Sequence, residues 1–276
     1  MTNPSSGPPK GAPSPRALSH SVPQPSAPVT RTRVRAEILI VLGLSLGASA
    51  VYSIINIIDR LTQPVVLSQQ SAHLNPPLSD RSAFDLTYQL LAIFFDLVPV
   101  ILVGFLLWRY TRPHLGRLGI DFTKPARDAG WGVVIVLAIG IPGLAFYFLA
   151  RHLGISVDVV PTDLRAYWWT IPVLVLSAIR AGMQEEVIVV GYLFARFADL
   201  GWGRWRTILV SAALRGSYHL YQGFGALIAN FVMGIAFGWL YTRFGRLLPL
   251  VIAHALMDAA VFIGYPWAVS AFPALF

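Results

Sequence analysis

At residues 86–107 the chain reads LTYQLLAIFFDLVPVILVGFLL, an apolar run in which Asp96 is the one charged residue. A helix rises about 1.5 Å per residue, so this run is long enough to cross the roughly 30 Å hydrocarbon core of a bilayer. Working outward, comparable runs lie at 36–58, 131–150, 168–197, 206–223, 225–243 and 247–267. The run at 168–197 exceeds one crossing and predicts a tilted or protruding helix. The run at 206–223 is the weakest, being interrupted by Arg215, Gly216 and His219. Of 276 residues, 55% are hydrophobic and 12% charged, with a mean hydropathy of +0.62. A soluble domain carries about 25% charged residues to cover its surface. The expected fold is therefore all-α, a polytopic membrane helix bundle with about seven transmembrane helices set in the lipid bilayer.

The formal charge of +8 and pI near 10.1 would suggest a nucleic-acid partner in a soluble protein. Here the basic residues lie mostly between apolar runs, so no nucleic acid is expected and the charges orient the helices instead. Lys and Arg alternate strictly from loop to loop, fifteen on one side and four (Arg60, Arg81, Arg151, Arg165) on the other. That alternation predicts seven crossings with a cytoplasmic N-terminus. Residues 1–34 are a different material: fourteen of the first thirty are Pro or Ser. They predict a disordered cytoplasmic tail rather than a signal peptide, since no short apolar core follows the first basic residues. The absence of cysteine rules out disulfides and thiol chemistry. Pro99, Pro142 and Pro249 are expected to kink or start helices, and the Gly43/Gly47 and Gly234/Gly238 pairs have the spacing of close helix packing.

Ionisable groups within a bilayer are costly and point to function. Apart from helix ends the runs contain Asp96, Arg180, Glu185, Glu186, Arg215, His219, His254 and Asp258, all but the first in the last four helices. Measured along their helices from the cytoplasmic side, Glu185, His219, His254 and Asp258 lie roughly 18, 20, 10 and 16 Å deep. They share a band in the middle and cytoplasmic half, and His254 and Asp258 lie on one helical face. Asp96 is expected to pair with Arg180 or line a cavity. His20, His73, His114 and His152 are expected to be solvated, Asn230 to hydrogen-bond across helices, and Tyr167, Trp168 and Trp169 to anchor an interface.

Three of these segments carry a resemblance. QEEVIVVGYL at 184–193 resembles the EExxxR motif of the CPBP family of CAAX-type and bacteriocin-processing intramembrane endopeptidases. RGSYH at 215–219 is similar to its FxxxH motif, and HALMD at 254–258 to its HxxxN or HxxxD motif. The resemblance covers about 170–267. It implies a catalytic core of four transmembrane helices at 168–276, preceded at 35–167 by three accessory helices and their loops. The segments HExxH, GxSG and GxGD, which mark other intramembrane protease classes, are missing.

By this resemblance Glu185 and His219 activate a water that attacks a peptide carbonyl, with Glu186 beside them. His254 and Asp258 stabilise the oxyanion or hold the substrate. The family is often called metalloprotease, and Glu185, His219 and His254 are of the types that bind zinc; a metal-free glutamate route is the other option. The chain departs from the family at two places: Val190 stands where Arg is expected, and Arg215 where Phe is expected. The missing Arg would sit four residues from Glu186; Arg215 on the neighbouring helix is a candidate to replace it. Low Lys with high Arg and Ala suggests a bacterial inner-membrane protein acting on a membrane-associated protein or peptide. Two further readings stay open: a non-catalytic membrane scaffold or immunity-type protein that keeps the fold, and a transporter with a proton relay.

Overall fold

The computed structural model describes residues 30–107 and 118–271. Most of the expected disordered tail, together with His20 and His114, lies outside the described residues. Among the described residues there are eight helices and one small sheet. Helices α1 (Arg31–Gly43) and α2 (Leu46–Thr62) together occupy the first apolar run. The first helix begins at Arg31, a few residues before the expected end of the tail. The two helices meet at a 58° bend. A Cβ at Gly47 would lie 2.7 Å from the Leu42 carbonyl oxygen, whereas one at Gly43 would meet nothing. Gly47 therefore serves this bend, and neither glycine of the pair meets a helix beyond α1 and α2, contrary to what its spacing led us to expect.

Helix α3 (Ser82–Leu106) carries Pro99 inside it. Helix α4 (Pro125–His152) widens into a π turn at Val136–Gly140, just before Pro142. Proline offers no N–H to the preceding turn, and the wider turn accommodates that loss. Helix α5 runs over 170–199, regular at Thr170–Glu185 and Leu193–Asp199 with a π turn at Glu186–Tyr192 between. Helix α6 (Arg204–Tyr218) reverses through Leu220–Gln222 and Gly223, whose φ of 103° suits glycine, into α7 (Phe224–Phe244). Helix α8 (Leu248–Ala271) starts with Pro249 in its first turn and has a π turn at Ala260–Gly264.

Helices α3, α4, α7 and α8 are long and apolar enough to cross a membrane, and the bent α1–α2 pair makes a fifth such span. Each of the seven expected runs is occupied by helix. The two that fall short are α5 and α6, which carry Arg180, Glu185, Glu186 and Arg215.

Helix α5 is the axis of the bundle. Val187, Ile188, Val189 and Tyr192 are fully buried, while Leu39, Ile101, Phe105 and Leu137 on other helices face outward. That is the distribution of a lipid-facing bundle, with polar groups inside and apolar side chains outside. Glycine brings the inner helices close. A Cβ at Gly182 of α5 would lie 2.9 Å from the Val251 carbonyl of α8, and one at Gly216 of α6 would lie 2.8 Å from the Leu227 carbonyl of α7. Gly234 and Gly238 of α7 meet Ala212, Ile208 and Phe194 in the same way, so this pair does serve packing.

Polar ties close both ends. Where α2 and α4 finish, β1 (Ser71–His73) pairs in parallel with β2 (Asp158–Val160), Ser71 opposite Asp158. Gly223 bridges to Ser156 at the same end. At the other end Arg246 clamps Asp128 (2.5 Å) and Asp121 (3.0 Å), and Arg196 binds Glu37 (2.6 Å) and the Leu106 carbonyl (3.0 Å). His73 is exposed as expected and also pairs with Asp163 at 2.5 Å. Two sequence expectations are corrected here. Asn230 donates to Ala226 of its own helix, not across helices. Trp169 is buried with its indole N–H on Ser82, and Trp168 alone is fully outward.

Candidate active site

The site forms where α5 changes from a regular helix to its π turn. Glu185 ends the regular part and Glu186 opens the wide turn. The two adjacent carboxylates enter one cluster but meet different partners. Single π turns of this kind recur at functional positions because they re-aim side chains.

Glu185 faces the end of α6 and the middle of α8. Tyr218 donates its phenol hydrogen to Glu185 Oε2 at 2.7 Å. The same oxygen lies 3.6 Å from His219 Nε2 and 3.9 Å from His254 Nε2. These last two separations are ion-pair distances, longer than hydrogen bonds. Among the described residues neither buried ring nitrogen of His219 has a hydrogen-bond partner. His219 sits just past the last residue of α6, where the helix gives way to the turn into α7.

Glu186 is fully buried and faces a different pair. Its Oε1 accepts from Arg215 Nη2 at 2.6 Å and lies 2.7 Å from His254 Nδ1. His254 therefore stands between the two glutamates, with its Nε2 also 3.6 Å from Asp258 on its own helical face. Arg215 is fully buried, and its Nη1 is 3.9 Å from Glu185 Oε2. A charge buried here without a partner would be strongly destabilising, and Arg215 is the fixed cation beside both carboxylates.

All five residues expected to be catalytic, Glu185, Glu186, His219, His254 and Asp258, thus come together from α5, α6 and α8. Arg180 stands apart: its Nη1 reaches Asp96 of α3 at 3.3 Å and Gln184 at 3.5 Å. Tyr218 was not anticipated from the sequence. Its signal was a tyrosine inside an apolar run, whose hydroxyl needs a partner when buried.

The donor types fit a metal better than the geometry does. Among the described residues no three His, Asp or Glu side chains converge as a ligand set. The Arg215 cation beside Glu185 opposes a second positive charge there. No step below is routed through a metal.

Comparison with known proteins is consistent with this arrangement. Residues 167–260 match the family model described as Rce1-like, type II CAAX prenyl endopeptidase Rce1-like. The matched segment holds all three motifs and is similar to the family that those motifs resemble. It supports intramembrane endopeptidase activity of the CAAX type in general. Neither the comparison with curated proteins nor that with solved structures gives a match.

Proposed function

We propose that this CAAX-type endopeptidase segment hydrolyses a peptide bond in a membrane-associated protein or peptide, with Glu185 and His219 activating the water. The observation that supports it most is the setting of Glu185. One of its oxygens is held by Tyr218 and turned toward two imidazoles, inside a bundle whose outer surface is apolar.

A water hydrogen-bonded between Glu185 and His219 Nε2 gives up a proton to Glu185 as its oxygen adds to the substrate carbonyl carbon. The carbonyl oxygen takes on negative charge, and the Nε2 side of His254, with Glu186 behind the ring at Nδ1, stabilises that charge. The C–N bond then breaks. The proton taken from water passes to the departing amine, restoring Glu185. Tyr218 holds the carboxylate in one orientation throughout, and Glu186 holds the His254 ring.

The cell compartment this reading favours is a bacterial inner membrane, with the chain multi-pass and its N-terminus cytoplasmic. Residues 35–167 act as accessory helices and 168–276 as the catalytic core.

The test is cleavage of a membrane-anchored peptide library by purified protein in detergent, wild type beside Glu185→Gln and His219→Gln. Loss of a general base costs about 100- to 10,000-fold, so both variants should fall to background while remaining folded. Equal cleavage by wild type and Glu185→Gln would defeat the glutamate mechanism. A folded wild type that cleaves nothing would return the chain to the scaffold reading.

A further inference from the structure

Glu186 has no cation within reach on its own helix. The positions one turn away are Gly182, where a Cβ would lie 2.9 Å from the Val251 carbonyl, and Val190, which is apolar and 1% exposed. Arg180, further along α5, is taken by Asp96. The guanidinium comes instead from α6. Room for the stem of Arg215 is made by glycine on α7: a Cβ at Gly234 would touch Arg215 Cδ at 3.4 Å. The guanidinium lies 5.3 Å from the centre of the Phe237 ring.

We infer that Arg215 is a positioning residue for the hydrolysis proposed above, acting through Glu186 on the imidazole of His254. The chain of contact is continuous. Arg215 Nη2 and His254 Nδ1 meet the same oxygen of Glu186, at 2.6 and 2.7 Å. With Nδ1 committed to a carboxylate, Nε2 is the nitrogen left to face Glu185 and Asp258. The guanidinium also spans both glutamates, since its Nη1 faces Glu185. Two adjacent carboxylates buried together repel, and a cation between them offsets that repulsion. Arg215 touches neither the attacking water nor the scissile bond in this scheme.

Helix geometry supplies the test. Position 190 lies one turn beyond Glu186, so a guanidinium placed there can reach the same carboxylate along α5. Four proteins are compared: wild type, Arg215→Phe, Arg215→Phe/Val190→Arg and Arg215→Phe/Glu186→Gln. The last removes the unpaired buried charge, and so keeps a folded reference if the first substitution unfolds the chain. Two signals are read: cleavage kinetics, and the ring-nitrogen NMR resonances of isotope-labelled histidine, with His254 assigned from a His254→Gln control.

Misplacement of a group by about 1 Å costs about 100-fold, so Arg215→Phe should lower kcat by that factor with little change in KM. The Nδ1 resonance of His254 should lose its hydrogen-bonded position. Adding Val190→Arg should restore both signals in part, while Arg215→Phe/Glu186→Gln should fold and stay slow. The inference is overturned if the His254 resonance is indifferent to Arg215→Phe, or if Arg215→Phe/Glu186→Gln cleaves like wild type. The second result would reduce Arg215 to a neutraliser of charge. A wild type that cleaves nothing, with a His254 resonance that still follows Arg215, would fail the hydrolytic reading and leave the positioning role standing.

Discussion

Tyr218 donates to the carboxylate that does the proposed chemistry, and that bond is the simplest one to remove. Hydrogen bonds to charged groups contribute about 1.5–3 kcal/mol. Tyr218→Phe should therefore slow cleavage about 10- to 100-fold while leaving the helix packing in place, because the ring stays. Turnover and thermal unfolding measured on the same preparation check this. A fall in stability with unchanged turnover would make Tyr218 a packing residue only. His219 differs in kind: its ring nitrogens have no hydrogen-bond partner among the described residues, so His219→Gln should affect turnover far more than stability.

At the scale of the element, the contact between α5 and α8 sets where His254 stands relative to the two glutamates. Gly182 is the closest point of that contact, with the Val251 carbonyl 2.9 Å and the Ala255 amide nitrogen 3.2 Å from a built Cβ. Gly182→Val should push α8 outward, costing about 1–3 kcal/mol and carrying His254 off Glu186. Gly130→Ala in α4 is the control, since a Cβ there meets nothing within 4 Å. It should leave both stability and cleavage near their starting values. Thermal unfolding in detergent separates the two. The clamp just before α8 has a pH signature. Hydrogen bonds from Arg246 and Thr123 hold the Asp121 carboxyl well below its ordinary value of 3.8. A depressed carboxyl stabilises the fold above its unfolded pKa and loses that contribution as pH falls through the folded value. The difference in unfolding temperature between wild type and Asp121→Asn should thus be constant from pH 5 to 8, and shrink only well below pH 4.

For the whole molecule, the alternation of basic residues and the two polar ends lead to one arrangement. In the proposed orientation the loops around β1 and β2 lie on the outer side, and the Arg246 clamp on the cytoplasmic side. A chain without cysteine suits single-site labelling. Asp80→Cys, exposed beside the small sheet, should react with an impermeant thiol reagent in intact cells. Lys124→Cys, exposed near the clamp, should react only after the membrane is opened. The reverse pattern would invert the orientation and the side from which substrate reaches Glu185.

The helix positions were legible in the chain because a bilayer demands long apolar runs and tolerates few alternatives to helix within them. The residues of the site were legible for the related reason that charges inside such runs are costly and rarely incidental. Spacing even placed His254 and Asp258 on one face, since that relation is local to one helix. Relations between helices had to await the packing. That His73 finds Asp163 and that Tyr218 reaches Glu185 depend on contacts between segments far apart in the chain. The pairing of Arg215 with Glu186 is of the same kind. Sequence named both residues and suggested the exchange with position 190. Only the tertiary structure, through the π turn of α5 and the close approach of α6, decided that one oxygen of Glu186 holds both Arg215 and His254.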